Sequence, residues 1–427
     1  MEYAVLGGGA LGLTVALRLA QQGEKVVVYE REQEAGGLAA GFAVDGVFLE
    51  KFYHHLFRSD KAVQGLIRGL GLGPSLVWPR PKTVILWEGR LHLLDSPLAL
   101  LRFPPLSLAE RIRLGAVLAY LKVAPSGWME GKRASAWIRR AMGEGAYRVV
   151  WGPMLQAKFG ALKEEIAMPW FWARVRDRST ELGYLRGGFQ QLYNRLSEEI
   201  CRLEGELRLG VTVAGIRTAP GGRLVVASSE DERSYDRVVS TLPVRLTCRL
   251  TPELPEEYRA RYEWGQAYGA HCLILALDRP LTDAYWVNIN DPGYPFMVLV
   301  EHTNYMPTKD YGGRHLIYLG NYRPMDDPLF RMSKDEVTST FVPHLSRINE
   351  AFTPEWVTES WMFAAPFAQP IVTVEYPEHI PPFETPVPNL FVASMFQVYP
   401  HDRGQNYSVE LAEKLVKRLT DPELRAP

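Results

Sequence analysis

Several groups of residues have the types and spacing that chemistry requires. Gly7, Gly9 and Gly12 stand in the G-x-G-x-x-G spacing. In that pattern the first glycine turns the chain sharply, the second lets backbone amides approach a pyrophosphate, and the third lets a helix pack on a strand. Ala10 and Leu11 would then open a helix whose unpaired N–H groups and dipole favour a dianion. Glu30, followed by Arg31, is placed to accept hydrogen bonds from a ribose diol. His54 and His55 are the catalytic candidates, because an imidazole titrates near neutrality and could move a proton or bind a phosphate. Adjacent side chains diverge on a strand and no carboxylate motif accompanies this pair, so no metal site is expected. Arg174, Arg176 and Arg178 alternate and would share one strand face toward an anionic substrate or solvent. Near the C-terminus, Asp402, Arg403 and Gly404 precede Gln405 and Asn406 at a helix start, a setting suited to a phosphate or a ring carbonyl.

The elements that would position these groups follow from periodicity. Tyr3–Leu6 is a short apolar run suited to a buried parallel strand, and Val26–Tyr29 is a second. A hairpin is expected around Asp45-Gly46, a helix from Asp60 to Leu70, and a second hairpin turning at Glu88-Gly89. Ser107 with Glu110 three residues later marks a helix start, and helical character continues over 134–148. Trp170-Phe171-Trp172 would either wall a pocket or fill a core. A helix follows Gly187-Gly188-Phe189, then three short strands reach Thr241-Leu242-Pro243. Strands are expected again between Tyr268 and Tyr322, a helix from Ser333, and a strand pair, 357–363 and 371–375, around the Ala365-Pro366 break. A last buried strand spans 389–394 and a final helix follows Gly404.

Composition sets the bounds. At 427 residues and 47% hydrophobic the chain can bury a large core in two or three domains. Its 48 Lys and Arg against 49 Asp and Glu give no general attraction to nucleic acid. Three cysteines, Cys201, Cys248 and Cys272, are widely spaced without a C-x-x-C and read as reduced core thiols. No export signal and no run of about 18 apolar residues is present, so a cytoplasmic location without a membrane span is expected. Peripheral membrane contact and oligomeric state stay open.

Three separated segments together resemble the FAD-binding domain of the flavin amine oxidase superfamily, which includes protoporphyrinogen oxidases, phytoene desaturases and, more distantly, UDP-galactopyranose mutases. The first runs from Val5-Leu6-Gly7-Gly8-Gly9 through Glu30 to Gly36-Gly37. The second joins Gly187–Leu192, Gly210-Val211-Thr212-Val213 and the stretch from Asp236 to Pro243. The third runs from Asn389 to Gly404.

The resemblance implies FAD as cofactor and an α/β fold, in which a discontinuous Rossmann-like FAD-binding domain, a mixed sheet with helices, is interleaved with a substrate domain of antiparallel sheet plus helices. The segments divide as 1–75, 185–245 and 385–427 for FAD, and 76–184 and 246–384 for substrate. It implies that backbone at Val213 holds the adenine, that Gly37 and Leu38 lie beside the cofactor, and that Asp402 sits near the ribityl or pyrophosphate with the Gln405 and Asn406 amides near the flavin pyrimidine. Leu38 stands where many members have Arg or Lys, and Ser394-Met395 where many have Gly-Asp. Phe52 and Tyr53 replace a small Gly-Pro beside the flavin ring, while His54 matches a histidine of the mutases. The implied activity is hydride removal from a fairly hydrophobic small molecule onto flavin N5. The alternative is redox-neutral chemistry on a sugar nucleotide.

Overall fold

The computed structural model describes residues 1–401 and 403–421. Its central element is a five-stranded sheet in the order Glu206–Leu209, Lys25–Glu30, Glu2–Leu6, Arg237–Ser240, Leu390–Val392, with every pairing parallel. The period-2 geometry of a strand sends Tyr3 and Val5 to one face and Ala4 and Leu6 to the other. Tyr3 and Val5 join a core with the helices Ala10–Ala20, Gln190–Arg202 and Gln405–Thr420. Ala4 and Leu6 pack under an antiparallel meander of Val213–Thr218, Leu224–Ser228 and Glu232–Tyr235. The antiparallel pairing thus lies in a separate layer, and where periodicity indicates three strands before Thr241 there are five: the run from Leu207 to Ile216 divides into Glu206–Leu209 and Val213–Thr218, in different sheets, and Glu232–Tyr235 is added.

A second, seven-stranded sheet runs Val357–Pro370, Ala267–Leu277, His315–Arg323, Val298–Glu301, Trp286–Ile289, Thr83–Trp87, Arg90–Leu93. It is antiparallel except where Thr83–Trp87 meets Trp286–Ile289. Cys272, Ile274 and Ala276 belong to the core shared with the nucleotide side, whereas Leu273, Leu275 and Leu277 belong to a separate core that includes Val337 and Phe341 of the Lys334–Phe341 helix. A helical region, Leu108–Val123, Ala134–Met142, Gly152–Phe159 and Met168–Asp177, surrounds a third core. Both capping boxes, Ser107 with Glu110 and Ser333 with Glu336, form as their spacing indicates.

Three expectations are corrected. Arg174 and Arg176 lie on the helix Met168–Asp177, and Arg178 is its C-cap, so they share no strand face. Pro169 at the first turn pre-sets that helix, and the alternation of arginines is incidental to it. The break at Ala365-Pro366 is also absent. Val357–Pro370 is one strand, and no strand forms over 371–375. It stands at the sheet edge, where a proline costs no ladder bond, and Phe367 at φ 54 marks the irregularity. Finally, Cys201 is exposed, leaving only Cys248 and Cys272 as buried thiols.

Candidate functional site

The glycine turn has the geometry of an anion cradle. Gly7 has φ 106 and donates its amide to the Tyr29 carbonyl at 2.8 Å. A Cβ on Gly12 would lie 1.9 Å from the Gly7 carbonyl oxygen, so only glycine allows the helix this close to the strand. A Cβ on Gly9, in contrast, would meet only the Gly37 Cα, at 3.9 Å. The space beside Gly9 is open, and the helix Ala10–Ala20 starts there with no side-chain cap on its first amides, including those of Ala10 and Leu11.

Glu30 is buried, and its carboxylate accepts the Gly8 amide at 2.7 Å and the Glu32 amide at 3.0 Å. Its orientation is therefore fixed at the end of the strand. Arg31 turns to solvent and pairs with Glu32 at 3.1 Å. Gly36 donates to the Gly8 carbonyl at 2.8 Å, and Gly37 and Leu38 follow in a short 3-10 turn beside Gly9. The amides of Gly210 and Val211 donate to the carbonyls of Glu32 and Glu30, which carries the chain past Glu30 into the strand that begins at Val213.

The C-terminal helix reaches the same place. The Tyr193 ring packs against Gly36, where a Cβ would lie 2.9 Å from Cδ2, and its hydroxyl donates to Gln405 Oε1 at 2.7 Å. Gln405 Nε2 is buried with no partner among the described residues. The Asn406 Oδ1 accepts the amides of Ala62 and Val63 and so caps the helix Lys61–Gly69. Asp402 lies outside the described residues.

The orphaned Gln405 amide, the open space at Gly9, the uncapped helix start and the buried Glu30 fit a dinucleotide with a polar ring. Bringing together residues near 9, 30, 37, 213 and 405 is what the fold achieves.

His54 and His55 follow the strand Val47–Glu50. His54 Nδ1 donates to the Phe52 carbonyl at 2.6 Å, which fixes its tautomer. Burial, with Arg403 nearby, lowers its pKa to about 4. His55 packs among Phe57, Tyr285 and Trp286, and burial, with Arg178, His54 and Arg174 adding, lowers it to about 3. Both rings are neutral at physiological pH. Tyr53 packs edge-on against Trp286 and Tyr318.

Arg403 donates to Gln369 and to the Tyr322 hydroxyl, and its guanidinium stacks 4.5 Å from the Tyr322 ring centre. The buried Lys158 lies 5.5 Å from the same ring and 5.3 Å from Trp170. Trp170, Phe171 and Trp172 are all buried in the helical core, which favours packing over a pocket wall. Residues without a sequence signal also matter. A cavity of about 290 Å³ is lined by Tyr262, Trp264, Tyr268, Phe367, Tyr376 and Phe396. It opens beside Pro243 and Val244, at the carboxyl end of the parallel sheet where α/β ligands bind. Only its aromatic composition could have hinted at it.

Fold and site together define a dinucleotide-binding α/β protein carrying a second, mostly antiparallel sheet. The family model for flavin-containing amine oxidoreductase matches residues 12–401, and the chain belongs to that family, with FAD as its cofactor. It is 37% identical over 110 residues to a carotenoid phi-ring synthase of Streptomyces griseus, covering 24% of this chain and 21% of that protein. It is 24% identical over 333 residues to the mitochondrial protoporphyrinogen oxidase of Nicotiana tabacum, covering 73% and 63%. The chain thus spans less than two thirds of the length of these relatives. Reduced UDP-galactopyranose mutase superposes with a TM-score of 0.77 at 16% identity, covering 98% of this chain and 95% of that one, a likeness of fold. Among the described residues no helix is long and apolar enough to cross a membrane, and no cluster suited to a metal is present.

Proposed function

We propose that FAD runs from the glycine turn to the start of the C-terminal helix, held by segments 1–75, 185–245 and 385–427. The remaining segments, 76–184 and 246–384, hold a hydrophobic small molecule from which a hydride is removed. The bound flavin supplies hydride acceptance at N5. In this reading the amides near Gly9, Ala10 and Leu11 face the pyrophosphate, Glu30 faces the ribose, and Gln405 faces the flavin ring. His54 and His55, being neutral, shape the ring face and do not act as charged acids.

The observation that carries the substrate class is the aromatic cavity at the sheet's carboxyl end. Its walls would exclude water and orient an apolar body against the ring. A second reading, redox-neutral action on a sugar nucleotide, draws on Lys158 and Arg403 near the Tyr322 ring and on His54 beside them. Anaerobic mixing of the yellow protein with amines, tetrapyrroles and polyenes tests the first: one class bleaches the flavin. Conversion of a UDP-sugar only after dithionite reduction, with no bleaching by the other panels, would sink it in favour of the second.

A further inference from the structure

The helix Leu108–Val123 is apolar on opposite sides. One side buries Leu114 and Leu121 in the helical core, with Val117 and Leu118 packed against it. The other exposes Leu108, Ile112, Ala116, Ala119, Tyr120 and Val123, which recur at three- and four-residue spacing along one stripe. Ile112 is 56% exposed and Val123 79%. The preceding helix Pro97–Leu101 adds exposed Leu98 and Leu101, and the edge strand Arg90–Leu93 turns two more leucines outward. Arg111 joins these pieces by donating to the carbonyls of Leu101 and Leu106. Eight of the eleven large apolar side chains exposed among the described residues fall between 91 and 123. Scattered exposed leucines need no explanation, but one continuous patch does.

The charge around the patch identifies its partner. Between 90 and 123 the chain carries Arg90, Arg102, Arg111, Arg113 and Lys122 against only Asp95 and Glu110, in a protein whose net charge is −1. Glu110 is closed into its capping box with Ser107. Arg113 donates to the backbone carbonyls of Arg140 and Ala141, so these bonds leave its positive charge uncancelled, while Lys122 donates to those of Arg176 and Arg178 with Asp177 nearby. A second copy docking the same patch face to face would set these cations against themselves. We propose that this face docks on a lipid surface bearing anionic headgroups, with the Leu108–Val123 helix lying in the plane of the interface.

Flotation of the full chain with phosphatidylcholine vesicles, with and without phosphatidylglycerol, tests this. Binding should be about tenfold stronger with phosphatidylglycerol, and Ile112→Glu or Val123→Glu should each weaken it by about tenfold. Because both side chains are exposed, the variants should keep the wild-type melting temperature, which separates lost docking from lost folding. Absence of binding to either vesicle overturns the proposal, as does wild-type binding by both variants or indifference to phosphatidylglycerol. A dimer in sedimentation that Ile112→Glu splits would assign the face to a second copy instead.

Discussion

Asp177, at the end of the helix Met168–Asp177, accepts the His401 ring Nδ1 at 2.8 Å. The same carboxylate oxygen accepts the Tyr407 hydroxyl at 2.7 Å, and the His401 and Tyr407 rings stack 4.6 Å apart. On the far side of the loop, Arg403 is held by Gln369 and Tyr322 of the antiparallel sheet. The segment leading into the C-terminal helix is thus gripped by the helix Met168–Asp177 and by the seven-stranded sheet. Asp177→Ala would strip both half-buried partners of their acceptor, at about 1 kcal/mol for each hydrogen bond lost. FAD affinity should fall roughly tenfold, a loss of about 1.4 kcal/mol. Asp177→Asn should lose less, because its amide oxygen still accepts from Tyr407. Fluorescence titration of apoprotein with FAD reads this directly, and unchanged affinity in Asp177→Ala would remove the loop's grip as a determinant.

Two glycines of the turn should separate folding from binding. Gly12→Ala forces a Cβ to within 1.9 Å of the Gly7 carbonyl, so the helix must move off the strand. Its cost should exceed about 3 kcal/mol, and the apoprotein should melt well below wild type. Gly9→Ala meets nothing nearer than 3.9 Å and has φ −79, which any residue adopts. Its apoprotein should melt like wild type while FAD no longer raises the melting temperature. Equal behaviour of the two variants would contradict the division of labour.

This division is legible in the sequence, because the turn and its acidic residue are local chemistry: each glycine's role follows from its place between a strand and a helix. Both capping boxes are legible for the same reason. What escapes is set by tertiary context. Arg174 and Arg176 alternate as a strand face would, yet Trp170, Phe171 and Trp172 are buried in succession, and the fold wraps them in a helix. Pro366 reads as a break, but its strand lies at a sheet edge, where a missing donor costs nothing. The Asn406 side chain caps a helix more than 300 residues away in sequence. No local pattern announces that partnership.

The neutral state of His54 and His55 has a direct spectroscopic consequence. Burial is the main cause for each, and neighbouring arginines push the same way. Neither ring should change charge between about pH 5 and 8, where an ordinary histidine titrates. In proton–carbon NMR spectra, comparison with His54→Gln and His55→Gln assigns the two resonances. Both should stay flat over that range, and a midpoint near 6.5 for either would restore it as a general acid–base candidate.

Glu50 offers a pH test of the core beneath that segment. Its carboxylate accepts the Phe189 amide at 2.7 Å and the Tyr184 hydroxyl at 2.8 Å, and burial raises its pKa to about 7 against those bonds, which pull it down. A carboxyl raised in the fold holds its proton where the unfolded chain has released it. The native state therefore binds more protons between the unfolded value of 4.5 and about 7, and this group's contribution to stability falls as pH rises through that window. Each pH unit of the window is worth at most about 1.4 kcal/mol. Asp60 and Glu301 are raised to about 7 as well, and His54 and His55 act in the opposite direction, so the wild-type melting curve alone mixes several groups. Glu50→Gln removes one of them. The melting temperature of Glu50→Gln relative to wild type should climb as pH rises from about 4.5 to 7 and level off above it. A difference independent of pH would mean that Glu50 is ionised in the fold throughout.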